Sequence, residues 1–150
     1  MNRVLMAMVA VLALVAATTG GTSAATKTGT NAGEVLNGTP DNDVIHLKAG
    51  NDTSRARQGN DQVHGEGDND ELYGGPGNDL LVLGPGRDSA YGATGDDVIH
   101  STPDDQADFV YCGPGVDRVF LDTGDVVDGV ITVASSRSAP WRTRDRSSRR

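Results

Sequence analysis

Aspartate recurs at Asp43, Asp52, Asp61, Asp70, Asp79, Asp88 and Asp97, an unbroken spacing of nine residues. A fixed period sustained over so many copies means that one small unit is stacked on itself. Stacking brings like charges together. Two carboxylates about 5 Å apart repel by roughly 1 kcal/mol in water and by more near protein, so something cationic has to hold such a ladder. The chemistry open to these residues is therefore coordination of a hard cation by oxygen. A Gly/Asp-rich disordered linker is the alternative, and the unbroken period argues against it.

The unit that must position the carboxylates emerges when the aspartate is set at position six. GTPDNDVIH starts at Gly38, LKAGNDTSR at Leu47, ARQGNDQVH at Ala56 and GEGDNDELY at Gly65. GGPGNDLLV follows from Gly74, LGPGRDSAY from Leu83 and GATGDDVIH from Gly92. After a two-residue interruption placed at Ser101-Thr102, the register resumes with PDDQADFVY from Pro103 and CGPGVDRVF from Cys112, which adds Asp108 and Asp117. Position four is glycine at Gly50, Gly59, Gly77, Gly86, Gly95 and Gly115, and position three is proline at Pro40, Pro76, Pro85 and Pro114. Positions one to six read as turn. Positions seven to nine carry β-favouring residues and read as a very short strand.

These units resemble the glycine-rich nonapeptide repeat of the RTX (hemolysin-type) calcium-binding proteins, whose pattern is G-G-x-G-x-D-x-U-x. GGPGNDLLV fits every defined position, and the resemblance runs from Gly38 to Phe120. It implies an all-β fold: a parallel β-roll, a right-handed two-sheet solenoid in which two repeats make one turn. It also implies that Ca²⁺ sits in the glycine-rich turns between coils, held by the position-six carboxylates and nearby turn carbonyls. Carried over by position, Asp43, Asp61, Asp79 and Asp97 line one side, and Asp52, Asp70 and Asp88 the other. Asp108 and Asp117 continue the series, and Gly50, Gly59, Gly77, Gly86 and Gly95 supply turn backbone.

Elementary chemistry points the same way. Ca²⁺ takes six to eight oxygens at about 2.3–2.6 Å, backbone carbonyls included. Glycine at positions one and four is expected to allow left-handed or tight turns that aim carbonyls inward. Parallel strands lie about 4.8 Å apart, so aspartates on adjacent coils are close enough to share an ion. Folding is therefore expected to be coupled to calcium.

In a three-residue strand, position eight faces one way and positions seven and nine the other. Position eight reads Ile45, Ser54, Val63, Leu72, Leu81, Ala90, Ile99, Val110 and Val119, an apolar column with two weak members, Ser54 and Ala90, on the same sheet. With 4% aromatic residues the core is thin, and a short solenoid of this kind needs metal for stability. Position nine forms two outer columns: His46, His64, Val82 and His100 on one sheet, and Arg55, Tyr73, Tyr91 and Tyr111 on the other. Stacked imidazoles can chelate a transition metal, but with no third ligand in view the pair reads as solvated strand residues. The tyrosines read as cross-strand packing.

The ends differ from the middle. Residues 1–25 have the form of a secretory signal peptide: Arg3, an apolar run of 14 residues from Val4 to Ala17, and small residues before Ala24 and Ala25. That run is short for a membrane span, so no stable membrane insertion is expected. Residues 26–37 are a lead-in, 38–120 the roll, 121–133 a cap strand through Val126-Val127 and Val130–Val133, and 134–150 a disordered basic tail. Thr26 to Val133 carries 6 Lys/Arg against 20 Asp/Glu, whereas Ala134 to Arg150 carries six arginines and one aspartate. Cys112 is the only cysteine and has no internal partner.

The reading is a non-enzymatic, secreted, extracellular calcium-binding protein that orders when calcium is abundant. A calcium-stabilised adhesin or cell-surface module, with a cell-wall partner, is a second reading. A non-catalytic relative of an RTX protease or toxin is a third. An enzyme is disfavoured because neither H-E-x-x-H nor G-x-S-x-G occurs, and the histidines lie on a repetitive outer face. Nucleic acid is disfavoured because the aspartate columns repel phosphate.

Overall fold

The computed structural model describes residues 23–101, 104, 106–128 and 131–133. The segment read as a signal peptide lies outside them except for its last three residues, and the basic tail lies wholly outside. The described residues form strands and turns only, in two parallel sheets. One sheet has seven strands: β1 (Thr26–Thr28), β3 (Val44–Ala49), β5 (Gln62–Gly67), β7 (Leu80–Val82), β9 (Val98–His100), β11 (Asp117–Phe120) and β13 (Ile131–Val133). The other has six: β2 (Val35–Asn37), β4 (Thr53–Arg55), β6 (Glu71–Pro76), β8 (Ser89–Thr94), β10 (Phe109–Tyr111) and β12 (Val126–Asp128). Odd strands pair with odd and even with even, so the chain alternates between sheets and two repeats complete one coil. The β-roll expected from the repeat is the architecture found.

Register follows the period. Ile45 pairs with Val63 and Leu81 with Ile99, each 18 residues on, and Leu72 pairs with Ser54 and Ala90. All nine position-eight residues are buried. Position one, expected as turn, forms a second buried column at Leu47, Ala56, Leu83 and Cys112. Alternation explains it, because with position eight inward and nine outward the next residue points inward again. Cys112 is thus a core residue.

The expectation for the glycines also needs correcting. Left-handed backbone occurs at positions two and four, not one and four. At position two it is found in Gly75, Gly84 and Gly113, and also in Lys48, Arg57, Glu66 and Ala93, with φ from 72° to 112° across all seven. Position-one glycines have another task, described with the site below.

The interruption is misplaced in the sequence reading as well. The Gly86 N–H donates to Asp104 Oδ2, an 18-residue step, while the Asp88 N–H donates to Asp108 Oδ1, a 20-residue step. The two extra residues therefore lie between Asp104 and Asp108, inside the turn, and Ser101 keeps its place as a buried position-one residue. A bulge in the turn leaves both neighbouring strands in register, and Tyr111 duly pairs with Tyr91.

The outer columns stack as expected. His46 and His64 are 4.8 Å apart and nearly parallel, Tyr73–Tyr91 and Tyr91–Tyr111 are 4.5 and 4.9 Å apart, and His100 lies 4.2 Å from Phe120. Arg55 sits over Tyr73. At the amino-terminal end, Lys27 occupies the register position before Ile45 and donates to the Asn37 carbonyl. A charge directed inward there discourages another chain from adding to that edge.

Candidate metal centre

Each position-six aspartate ends a turn and begins a strand, so its side chain enters the seam between the two sheets. All nine predicted aspartates, Asp43, Asp52, Asp61, Asp70, Asp79, Asp88, Asp97, Asp108 and Asp117, are buried, at most 2% exposed. They form two columns. Along one, the N–H groups of Ala25, Asp43, Asp61, Asp79 and Asp97 donate to Oδ1 of Asp43, Asp61, Asp79, Asp97 and Asp117 in turn, at 2.6–2.9 Å. Along the other, the N–H groups of Glu34, Asp52, Asp70 and Asp88 donate to Oδ1 of Asp52, Asp70, Asp88 and Asp108, at 2.7–2.8 Å. One carboxylate oxygen per turn thus ties each coil to the next.

The other oxygen is the informative one. Oδ2 of Asp52, Asp61, Asp70, Asp79, Asp88, Asp97, Asp108 and Asp117 is buried without a hydrogen-bond partner. Asp43 differs, because its Oδ2 accepts from the Thr39 N–H and hydroxyl. A buried carboxylate oxygen left unpaired costs several kcal/mol, so eight in two rows demand a cation or a proton. Burial, with like charges in the column added, drives Asp70, Asp79 and Asp88 up to about 7. Burial likewise raises Asp97 and Asp108 to about 6, and raises Asp52 and Asp61.

The turn backbone is shaped around these oxygens. A Cβ on Gly74, at position one, would collide with Asp79 Oδ2. A Cβ on Gly77, at position four with φ 146°, would collide with the Gly59 carbonyl of the preceding coil. Glycine keeps both the carboxylate and the turn carbonyls uncovered at the seam. Among the described residues no group of three or more His, Cys, Asp or Glu side chains forms a metal cluster. A cation here would therefore draw much of its shell from backbone carbonyls, which suits a hard ion with many oxygen ligands, such as Ca²⁺. The donor set fits that ion: anionic and carbonyl oxygen, with the glycines Gly50, Gly59, Gly77, Gly86 and Gly95 in left-handed turns beside it.

Two features escaped the sequence reading. Asp125 extends the second column, since its Oδ1 accepts the Asp108 N–H at 3.0 Å and its Oδ2 accepts from the Ser101 hydroxyl at 2.6 Å. Its 17-residue offset hid it from a period of nine. Position five makes a second ladder that runs the other way: the N–H groups of Asn60, Asn78 and Asp96 donate to Oδ1 of Asn42, Asn60 and Asn78 at 2.7–2.9 Å. The signal was present in five consecutive asparagines, Asn42, Asn51, Asn60, Asn69 and Asn78.

Comparison with known families gives one match: the RTX calcium-binding nonapeptide repeat (4 copies), over residues 28–63, 48–81 and 82–105. No curated protein and no solved structure matches.

Proposed function

The chain belongs to the RTX calcium-binding nonapeptide repeat family, and from that premise we propose that it is an exported calcium-binding protein whose roll orders on taking up several Ca²⁺ ions outside the cell. One observation carries the reading: eight buried, unpartnered Oδ2 atoms in two regular rows. Asp61, Asp79, Asp97 and Asp117 would hold ions on one side, and Asp52, Asp70, Asp88 and Asp108 on the other, together with turn carbonyls. Bound calcium supplies positive charge that cancels the carboxylate repulsion. The chain itself supplies fixed oxygens, water-poor surroundings and an Oδ1 ladder that registers each coil on the last.

Export rests on the amino-terminal pattern of Arg3 and Val4–Ala17. An extracellular place suits calcium sites that work at about 10⁻⁴–10⁻³ M. The outer tyrosine row, with Tyr111 40% exposed, favours one second reading: a calcium-stabilised adhesin presenting that face. Retention of a surface partner in calcium and its release in EGTA would support that reading. The primary test is far-UV circular dichroism of residues 26–150 titrated with Ca²⁺ and separately with Mg²⁺. A coil-to-β transition at sub-millimolar to millimolar calcium, with little response to magnesium, is expected. Equal responses to the two ions would overturn the assignment.

A further inference from the structure

The outer face of the seven-stranded sheet carries a group that the calcium reading does not use. His46 and His64 stack across neighbouring strands with centroids 4.8 Å apart and ring planes 7° from parallel. Sequence offered them no further ligand or partner. The structure adds Glu66, two residues beyond His64, whose Oε1 lies 2.9 Å from His46 Nδ1. Lys48 steadies that carboxylate from 3.1 Å. We propose that His46 and His64 form a transition-metal site taking a borderline divalent cation such as Zn²⁺, with Glu66 as the positioning residue.

An ionised carboxylate only accepts, so the Glu66 contact places the proton on His46 Nδ1 and leaves the Nε2 lone pair for a metal. The Lys48 ammonium, paired with Glu66 Oε2 at 3.1 Å, holds that carboxylate in place beside His46. Zinc–nitrogen bonds are about 2.0–2.1 Å long and lie in the imidazole plane, so two rings held 7° from parallel at 4.8 Å must turn out of the stack for their lone pairs to converge on one ion. The neighbours along the column leave that motion free of further charge: Thr28 pairs with His46 on one side and Val82 with His64 on the other. With two protein ligands, water completes the shell. His100 stands apart, stacked on Phe120 two coils away from His64.

Isothermal titration of the calcium-saturated chain with Zn²⁺ at pH 7.5 tests the proposal, with circular dichroism confirming the roll in each variant. One zinc equivalent is expected. His46→Ala and His64→Ala should each weaken it at least tenfold, Glu66→Gln about tenfold, and His100→Ala not at all. Imidazole ¹⁵N shifts should show His46 protonated at Nδ1 in the wild type and a tautomer mixture in Glu66→Gln, a change that a purely structural role would not produce. Zinc affinity unchanged in both His46→Ala and His64→Ala, or no zinc bound by the wild type, would overturn it.

Discussion

The two sheets share one kind of turn but not one quality of core. Along the seven-stranded sheet the inward column runs Ile45, Val63, Leu81, Ile99 and Val119; along the six-stranded sheet it runs Ser54, Leu72, Ala90 and Val110. Ser54 even buries a hydroxyl with no partner. Yet the carboxylate ladders at the two seams are alike, bond for bond, within a few tenths of an ångström. Packing has been allowed to vary where the aspartates have not. The turns, rather than the core, therefore set whether this chain closes into a roll.

The largest effect should come from breaking a ladder in its middle. Asp79 has a neighbour on each side, accepting from Asp61 N–H and lying below Asp97, whereas Asp52 begins its column above Glu34. Asp79→Ala should raise the calcium midpoint of the β transition more than tenfold, and Asp52→Ala only severalfold, as read by circular dichroism. Equal shifts would show that position within the ladder is immaterial.

Acid should substitute in part for calcium. Without a cation, Asp70, Asp79 and Asp88 titrate near 7 and Asp97 and Asp108 near 6 in the roll, driven up by burial, against about 3.9 in the unfolded chain. Between about pH 4 and 7 the roll then holds more protons than the unfolded chain, so its stability falls as pH rises. This contribution is complete below about 4 and gone above about 7. The metal-stripped chain should gain β signal on acidification from pH 8 to 5. A loss of signal over that range would contradict the burial of these carboxyls.

The smallest effect belongs to the weaker core. Ser54→Ala removes an unpartnered buried hydroxyl and should stabilise the calcium-loaded roll by about 1 kcal/mol, a rise of a few degrees in Tm. A fall in Tm would mean that the hydroxyl is paired.

Much of this was legible because the period that sets the coil also sets the chemistry. Positions six, eight and nine each give an unbroken column, so the buried aspartates, the core and the stacked rings could be read by counting. Position one could not, because Gly65, Gly74 and Gly92 occupy it beside Leu47 and Leu83. At those glycines the aspartate Oδ2 lies where a Cβ would stand, and a turn-like residue hides an inward-facing column. The site of the two-residue insertion and the role of Asp125 were equally hidden, since both are fixed by hydrogen bonds between coils rather than by spacing. Glu66 reaches His46 from 20 residues away, a neighbour created only by coiling.

The central claim is that a cation at the aspartate seams closes the roll, and hydrogen exchange with parallel metal analysis tests it most directly. Residues 26–150, stripped with chelator at pH 8, should retain no metal and show no protected amides at Ile45, Val63, Leu81 and Ile99. Excess calcium should bring protection to all four together. Strong protection of those amides in chelator, with no ion retained, would contradict the account.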